Sequence, residues 1–335
     1  MALTSTSVTY WTYQHPGTTG IAVRGSASSS GTYITRLSSG NKGTKYCATS
    51  RTGGGTSSNP YWIYYYYKGG TSGSRGWSAC YSSGYTYFTS SGSGTLYSGT
   101  AYAYYYWPSS GSTSYTLQYT ASRTSPSFTL RSSPGSNTVK GSATTITLTV
   151  NSNNGTANTT KTGSYQTPTV YTFSGWDERT SAPGSLTAGT TDYSAGASRS
   201  STSDLSYYAD YTSAAGTTVY SNNSYNLGSP TKSSTSTTYT VNYNANGGSV
   251  SPTSATTSQT TTYTFSKWTG TTGVTISGTT ATFTQTGTAT ASYTSSTGAV
   301  GKVTLPTPSR TNYICLGWAT SSSATTAAYS CGSQF

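Results

Sequence analysis

Two stretches, Thr145-Ile-Thr-Leu-Thr-Val-Asn-Ser-Asn-Asn-Gly155 and Tyr239-Thr-Val-Asn-Tyr-Asn-Ala-Asn-Gly-Gly248, set the reading of this chain. In the first, Ile146, Leu148 and Val150 alternate with Thr145, Thr147 and Thr149; in the second, Tyr239, Val241 and Tyr243 alternate with polar residues. A period of two belongs to a strand with one buried face. Asn154-Gly155 and Asn246-Gly247 follow at once, and Asn-Gly tolerates the positive φ angles of a tight hairpin turn. Farther on come Tyr171-Thr-Phe-Ser-Gly-Trp176 and Tyr263-Thr-Phe-Ser-Lys-Trp268. In each, Tyr and Phe share one face, and the Trp lies on the other unless a β-bulge intervenes.

The two sets form an internal repeat, which is the first feature to seek in a chain. Val150 precedes Trp176 by 26 residues and Val241 precedes Trp268 by 27. Both copies close alike, on Tyr211-Thr-Ser-Ala-Ala-Gly216 and Tyr293-Thr-Ser-Ser-Thr-Gly298. A third piece, Leu305-Pro-Thr-Pro-Ser-Arg-Thr-Asn-Tyr313-Ile-Cys-Leu-Gly-Trp318, keeps the Tyr-to-Trp spacing. The spacing predicts three separately folded units, at 141–235, 236–298 and 299–335, with Trp176, Trp268 and Trp318 as core anchors.

Residues 1–107 read differently. Gly/Ser/Thr loops separate the aromatic runs Tyr61-Trp-Ile-Tyr-Tyr-Tyr-Tyr67 and Tyr102-Ala-Tyr-Tyr-Tyr-Trp107. Strands and turns at this spacing predict a Tyr-rich β-sandwich or jelly-roll-like domain, followed at 108–140 by a linker or short β segment. In such runs alternate residues face opposite sides, so half are core and half are surface. Tyr61, Trp62, Tyr64, Tyr65, Tyr66, Tyr67, Tyr104, Tyr105, Tyr106 and Trp107 are therefore the candidate binding or assembly surface. Tyr and Trp supply interface anchors and platforms for stacking.

Composition fixes the class. Leu, Ile, Val and Phe make up about a tenth of the chain, below the level at which disorder is expected. Disorder also calls for few aromatics and many charges. Here there are 33 Tyr and 7 Trp, and 7% of residues are charged. With helix formers scarce and Thr and Tyr abundant, the expected class is all-β, with aromatic cores. Seventeen basic residues face five acids, all between Asp177 and Asp210. The basic residues are scattered, which argues against specific nucleic-acid binding and for attraction to anionic surfaces. No apolar run approaches the length of a membrane helix, and Met1-Ala-Leu-Thr-Ser5 does not read as a secretory signal.

Four cysteines fall into two local pairs, Cys47 with Cys80 and Cys315 with Cys331. Pairs of this kind suit disulfides in an oxidising exterior; the alternative is four buried thiols. Neither a zinc motif nor a cofactor motif is present. The single histidine, His15, sits in Tyr13-Gln-His-Pro-Gly17 with no acid nearby in sequence, an unpromising base. Adjacent Asp177 and Glu178 point to opposite faces of a strand, unlike a glycosidase pair. Asp192, Asp204 and Asp210 lack the Asp-x-Asp-x-Asp spacing of a calcium loop. No catalytic residue, metal or cofactor is assigned, and an enzyme is not expected.

Tyr239–Gly248 resembles the opening of the Listeria–Bacteroides repeat, also called the internalin-type B repeat, and Leu305–Tyr313 with Leu316-Gly-Trp318-Ala-Thr320 resembles its second half. The resemblance covers residues 141–335. It implies small β-grasp-like units that serve as spacers or adhesive modules in bacterial surface proteins and in structural proteins of their phages. The combined expectation is a non-enzymatic virion accessory component, a head or tail fibre or decoration protein, exposed outside the cell. Its partners would be further copies of itself, other virion or surface proteins, and bacterial surface glycans. The rival expectations are a secreted or surface adhesin of bacterial origin, and a glycan-binding or glycan-degrading protein.

Overall fold

Strand-forming sequence dominates the computed structural model, which describes residues 2–335. The chain is all-β; among the described residues the sole helical element is the 3-10 turn Ser39–Asn41. It divides into two units, each made of two separate stretches. One unit takes Met1–Val139 and Thr169–Ala214, the other Lys140–Pro168 and Ala215–Phe335.

In the first unit, a seven-stranded antiparallel sheet runs in the order Tyr33–Leu37, Ile21–Arg24, Arg75–Ala79, Trp62–Tyr66, Lys45–Thr52, Thr4–Tyr13, Phe88–Ser98. Every second residue turns to one cluster: Trp11 and Tyr13, Ile21 and Val23, Tyr46 and Ala48, Ile63 and Tyr65, with Leu37 and Phe88. Six of the seven strands send residues to one cluster, which requires a coiled sheet, and right-handed strand twist supplies it. Residues 1–107 thus form neither a sandwich nor a jelly roll, because their second aromatic run leaves to build another sheet.

That sheet has the order Tyr115–Arg123, Ala101–Pro108, Leu205–Ala215, Thr169–Glu178, Asn137–Val139. Ala101–Pro108 pairs in parallel with Leu205–Ala215, setting Tyr105 beside Tyr207. Tyr105 stacks on Tyr207 with ring centroids 5.7 Å apart and meets Trp176 edge-on at 5.1 Å. Trp176 is fully buried, and its indole Nε1–H donates to the Arg131 carbonyl at 2.9 Å. Residues 108–140 are therefore integral strands of this core rather than a linker.

In the second unit a six-stranded sheet runs Val219–Ser221, Thr159–Gln166, Thr144–Asn151, Gly287–Thr297, Ser254–Gly270, Thr235–Asn242. Ile146, Leu148 and Val150 pack with Trp268, Phe283, Ala289 and Ala291. Both expected hairpins are present, Thr144–Asn151 with Thr159–Gln166 and Thr235–Asn242 with Ser254–Gly270. Asn246 and Gly247 both have positive φ, whereas in the first hairpin the positive φ angles fall on Asn153 and Gly155. A register shift between Phe265 and Lys267 turns Trp268 to the face of Phe265, so both rings enter one core, 5.9 Å apart.

The repeats are not separate folding units. The first copy is divided: its alternating strand serves the core of Trp268, while its Tyr171–Trp176 segment serves the aromatic run Ala101–Pro108. A unit with so few aliphatic residues cannot fill a core alone, so the copies pool their apolar strands. No helix lies within residues 141–335, so the β-grasp-like form implied by the resemblance is absent; helix formers are too scarce to supply one.

Two predictions follow from this partition. Truncating a buried Trp costs roughly 3–5 kcal/mol, a large part of a domain's stability. Trp176→Ala should open 169–214 together with 1–139 to protease, and Trp268→Ala should open 140–168 together with 215–335. Mass mapping of limited digests checks this, and cuts confined to 141–235 in Trp176→Ala would contradict it. Alkali is the second probe. Burial raises the phenol pKa of Tyr65, Tyr105, Tyr115 and Tyr207, and lifts Tyr211 from 10.0 to about 12. These residues keep their protons when folded and lose them when unfolded. Their stabilisation is whole below pH ~10 and falls by ~1.4 kcal/mol per pH unit per group above it. The first unit should lose structure between about pH 10 and 12, with circular dichroism and tyrosinate absorbance changing together.

Candidate functional site

Alternation within Trp62–Tyr66 sorts its side chains. Ile63 and Tyr65 are fully buried, whereas Trp62, Tyr64 and Tyr66 are half-buried on the outer face of the seven-stranded sheet. Tyr65 therefore leaves the candidate surface; its hydroxyl bonds to Ser78 Oγ at 3.0 Å, and Ser78 in turn donates to the Ala22 carbonyl. Tyr61 and Tyr67 also pack against this core. In the second run, Tyr105 is buried and Trp107 packs beside it. Tyr104 and Tyr106 lie on the opposite face, where Tyr106 stacks on Tyr208 at 4.6 Å.

The outer face of the coiled sheet carries the best-formed aromatic and cationic array. Tyr64 stacks on Trp77 at 5.1 Å, and the Arg75 guanidinium lies 5.0 Å from Tyr64 and 5.6 Å from Tyr66. Cation–π contacts of this kind hold both partners in place. Next to the array is a half-open groove of about 680 Å³. Its floor is the outer face of four strands, with Ala22, Arg24, Arg36, Trp62 and Ala79 among the lining residues. Ala22 and Ala79 keep the floor low, while Arg24, Arg36 and Trp62 stand above it. One wall is the hairpin that bears Tyr81 and Tyr85; serines from neighbouring loops form the rest. Ser83 and Gly84 both have positive φ and form the tight turn of that hairpin.

Both arginines are fixed by backbone carbonyls. Arg24 Nη1–H donates to Gly31 O at 2.8 Å, and Arg36 Nη1–H donates to Gly20 O at 2.5 Å. Gly20 is required there, since a Cβ would stand 1.5 Å from the Leu37 carbonyl oxygen. No carboxylate lines the groove. Sequence reading singled out Trp62 but not Arg24, Arg36, Tyr81 or Tyr85, because only tertiary pairing gathers them.

The acids serve a different region. Glu178 accepts from Arg199 Nε and Nη2 at 2.9 and 3.1 Å, and from the Tyr207 hydroxyl at 3.1 Å. Asp177 pairs with Arg179 at 3.1 Å. Asp210 Oδ2 accepts from Thr191 and Ser174, while its Oδ1 is buried without a hydrogen-bond partner. Asp192 and Asp204 accept the backbone N–H groups of Glu178 and Tyr102. Among the described residues no three of His, Cys, Asp and Glu are grouped so as to hold a metal ion. His15 is half-buried at positive φ, edge-on to Tyr13 at 6.0 Å.

The cysteine pairs diverge. Cys315 and Cys331 are joined. Cys47 and Cys80 are both free and buried, a correction to the expected pairing. The reason is facial: Tyr46 and Ala48 face the core in which Cys80 lies, so Cys47 between them points to the other side of the sheet. Trp318 is half-buried; its Nε1–H donates to Pro306 O at 2.7 Å, and it lies against Tyr243 with centroids 5.4 Å apart.

Compared with known proteins, the chain matches no family model, no curated protein and no solved structure.

In denaturant without reductant, alkylation should mark Cys47 and Cys80 and leave Cys315 and Cys331 unmarked until reduction. In the folded chain near pH 8, Cys80 should resist the reagent. Burial, partly offset by the Arg51 charge, pushes its pKa up to about 12, and the thiolate is the reactive form. Peptide mapping of the alkylated chain checks both statements; a native-state Cys80 adduct would refute the second.

Proposed function

We propose that the chain is a non-enzymatic structural and adhesive protein, a phage virion accessory component of the fibre or decoration kind that contacts the bacterial surface. The observation that carries this reading is the outer face of the seven-stranded sheet, where Tyr64, Tyr66 and Trp77 are held half-exposed by stacking and by Arg75, with Trp62 half-buried on the same face. Aromatic side chains fixed on a rigid scaffold bind at small entropic cost and provide interface hot spots. The internal repeat and its likeness to spacer modules support a projecting or exposed setting. Eleven basic residues and no acid within 1–176 favour an anionic partner surface. Homo-oligomerisation belongs to the same proposal, because long strands with few charges leave sheet edges open to pairing. Among the described residues no helix is long and apolar enough to cross a bilayer.

A bacterial surface adhesin shares this chemistry and differs in where the protein resides. Mass spectrometry of purified particles, set beside retention of the chain on isolated bacterial envelopes, separates the two. The expected result is presence in particles together with envelope retention that falls about tenfold or more in Trp62→Ala/Tyr64→Ala. An unchanged thermal melt of that variant shows that folding is intact. A wild-type chain that envelopes do not retain overturns the adhesive reading.

A further inference from the structure

Arginines that stand in a groove, tied only to carbonyls, leave charge for a ligand to meet. Arg24 and Arg36 each commit one N–H to the backbone, and a guanidinium has five. The remaining donors of Arg24 and Arg36 are available to the same space, and no carboxylate lines it. Charge-assisted bonds from a planar fork to a carboxylate or phosphate are among the stronger polar contacts, and the fork selects for planar or tetrahedral oxyanions.

The other lining groups specify more than an anion. Trp62 and Tyr81 are half-buried and Tyr85 is 48% exposed, so each presents part of a ring to the groove. Ser28 and Ser57 add hydroxyls from two separate loops, and Ser82 adds one from the hairpin strand. Flat aromatic faces suit the C–H face of a pyranose ring, and hydroxyls suit its edge. A half-open groove of about 680 Å³ has room for a few sugar residues.

We propose that this groove binds an acidic glycan, with sugar faces on Trp62 and Tyr85 and the anionic substituents on Arg24 and Arg36. The inference rests on the adhesive reading above and names the ligand class of that same face. The anionic substituent is a carboxylate or a phosphate ester, and the test keeps the two apart.

Affinity electrophoresis of the full chain through gels containing polygalacturonate, phosphomannan, neutral dextran or single-stranded DNA provides that test. Retardation is expected in polygalacturonate or in phosphomannan, and the responsive polymer identifies the substituent. The apparent Kd should rise about tenfold in Arg24→Gln/Arg36→Gln and about threefold or more in Tyr85→Ala. Tyr85 is exposed, so its removal tests the site without burdening the fold. Binding should weaken as salt is raised, since the charges are solvent-accessible. Three results overturn the proposal: no retardation by either acidic polymer, equal retardation by dextran, or retardation by DNA at least as strong and as sensitive to the arginine variant. If the wild type is retained on envelopes while neither acidic polymer binds it, the groove assignment falls and the adhesive reading stands. If envelopes fail to retain it while the polymers bind, the reverse holds.

Discussion

An indole N–H buried in an apolar core must find an acceptor, and this need shapes how the chain is put together. Trp176, Trp268 and Trp318 donate to the carbonyls of Arg131, Gly228 and Pro306, each on a segment that precedes the Trp in the chain. Trp176 and Trp318 share a second device. The backbone N–H of each donates to a later tyrosine carbonyl, at 2.7 Å in both cases, and each accepts from that tyrosine's own N–H; the tyrosines are Tyr193 and Tyr329. A glycine precedes the Trp each time, and a Cβ on Gly175 or Gly317 would press within 3 Å of the same tyrosine carbonyl. The second copy has Lys267 in that place, and its Trp268 instead lies opposite Ala291 in a long strand pair. So the repeat persists in the Trp and its indole hydrogen bond, while the clasp is kept in the first and third copies and the strands around them have been reassigned.

That reassignment explains what could be read from sequence and what could not. Period-two alternation told correctly which residues of Thr145–Val150 and Tyr61–Tyr67 share a face, because side-chain direction is local. It did not tell which face is the core, and a shift of one residue exchanges the two. Tyr65 and Tyr105 were on the wrong side of that ambiguity, as was the pairing of Cys47 with Cys80. The bulge beside Phe265 was foreseeable, since Phe and Trp at a separation of three share a face only through one. Strand partners were not legible. The parallel pairings of Ala101–Pro108 with Leu205–Ala215, and of Thr144–Asn151 with Gly287–Thr297, join residues about a hundred or more apart. No local signal encodes such a contact.

The candidate site was partly legible for the same reason. Trp62 stood out because it belongs to an aromatic run, but a groove floor drawn from four strands is a property of sheet order. Arg24 and Arg36 lie on adjacent strands, and only the register that sets Ala22 opposite Arg36 brings them to one surface. Tyr81 and Tyr85 reach the groove through a two-residue turn at Ser83-Gly84. Sequence composition does show that no carboxylate could line the groove from nearby in the chain, since no acid occurs before Asp177.

The placement of those acids gives the charge distribution its meaning. Glu178 and Asp177 bind Arg199 and Arg179 locally, and the buried Arg123 donates to the carbonyls of Ser201 and Ser203 while lying over the Phe128 ring. Around the second sheet of the first unit, Arg179 and Arg199 are neutralised by carboxylates, whereas Arg123 is held by neutral groups alone. On the seven-stranded sheet the cations are held by carbonyls and aromatic rings, which fix position without cancelling charge. A neutral acceptor leaves a guanidinium's field intact, whereas a carboxylate largely quenches it. Arg24 and Arg36 belong to this uncompensated set, each tied to a carbonyl in a groove that no carboxylate lines, and the proposed acidic-glycan site rests on that feature.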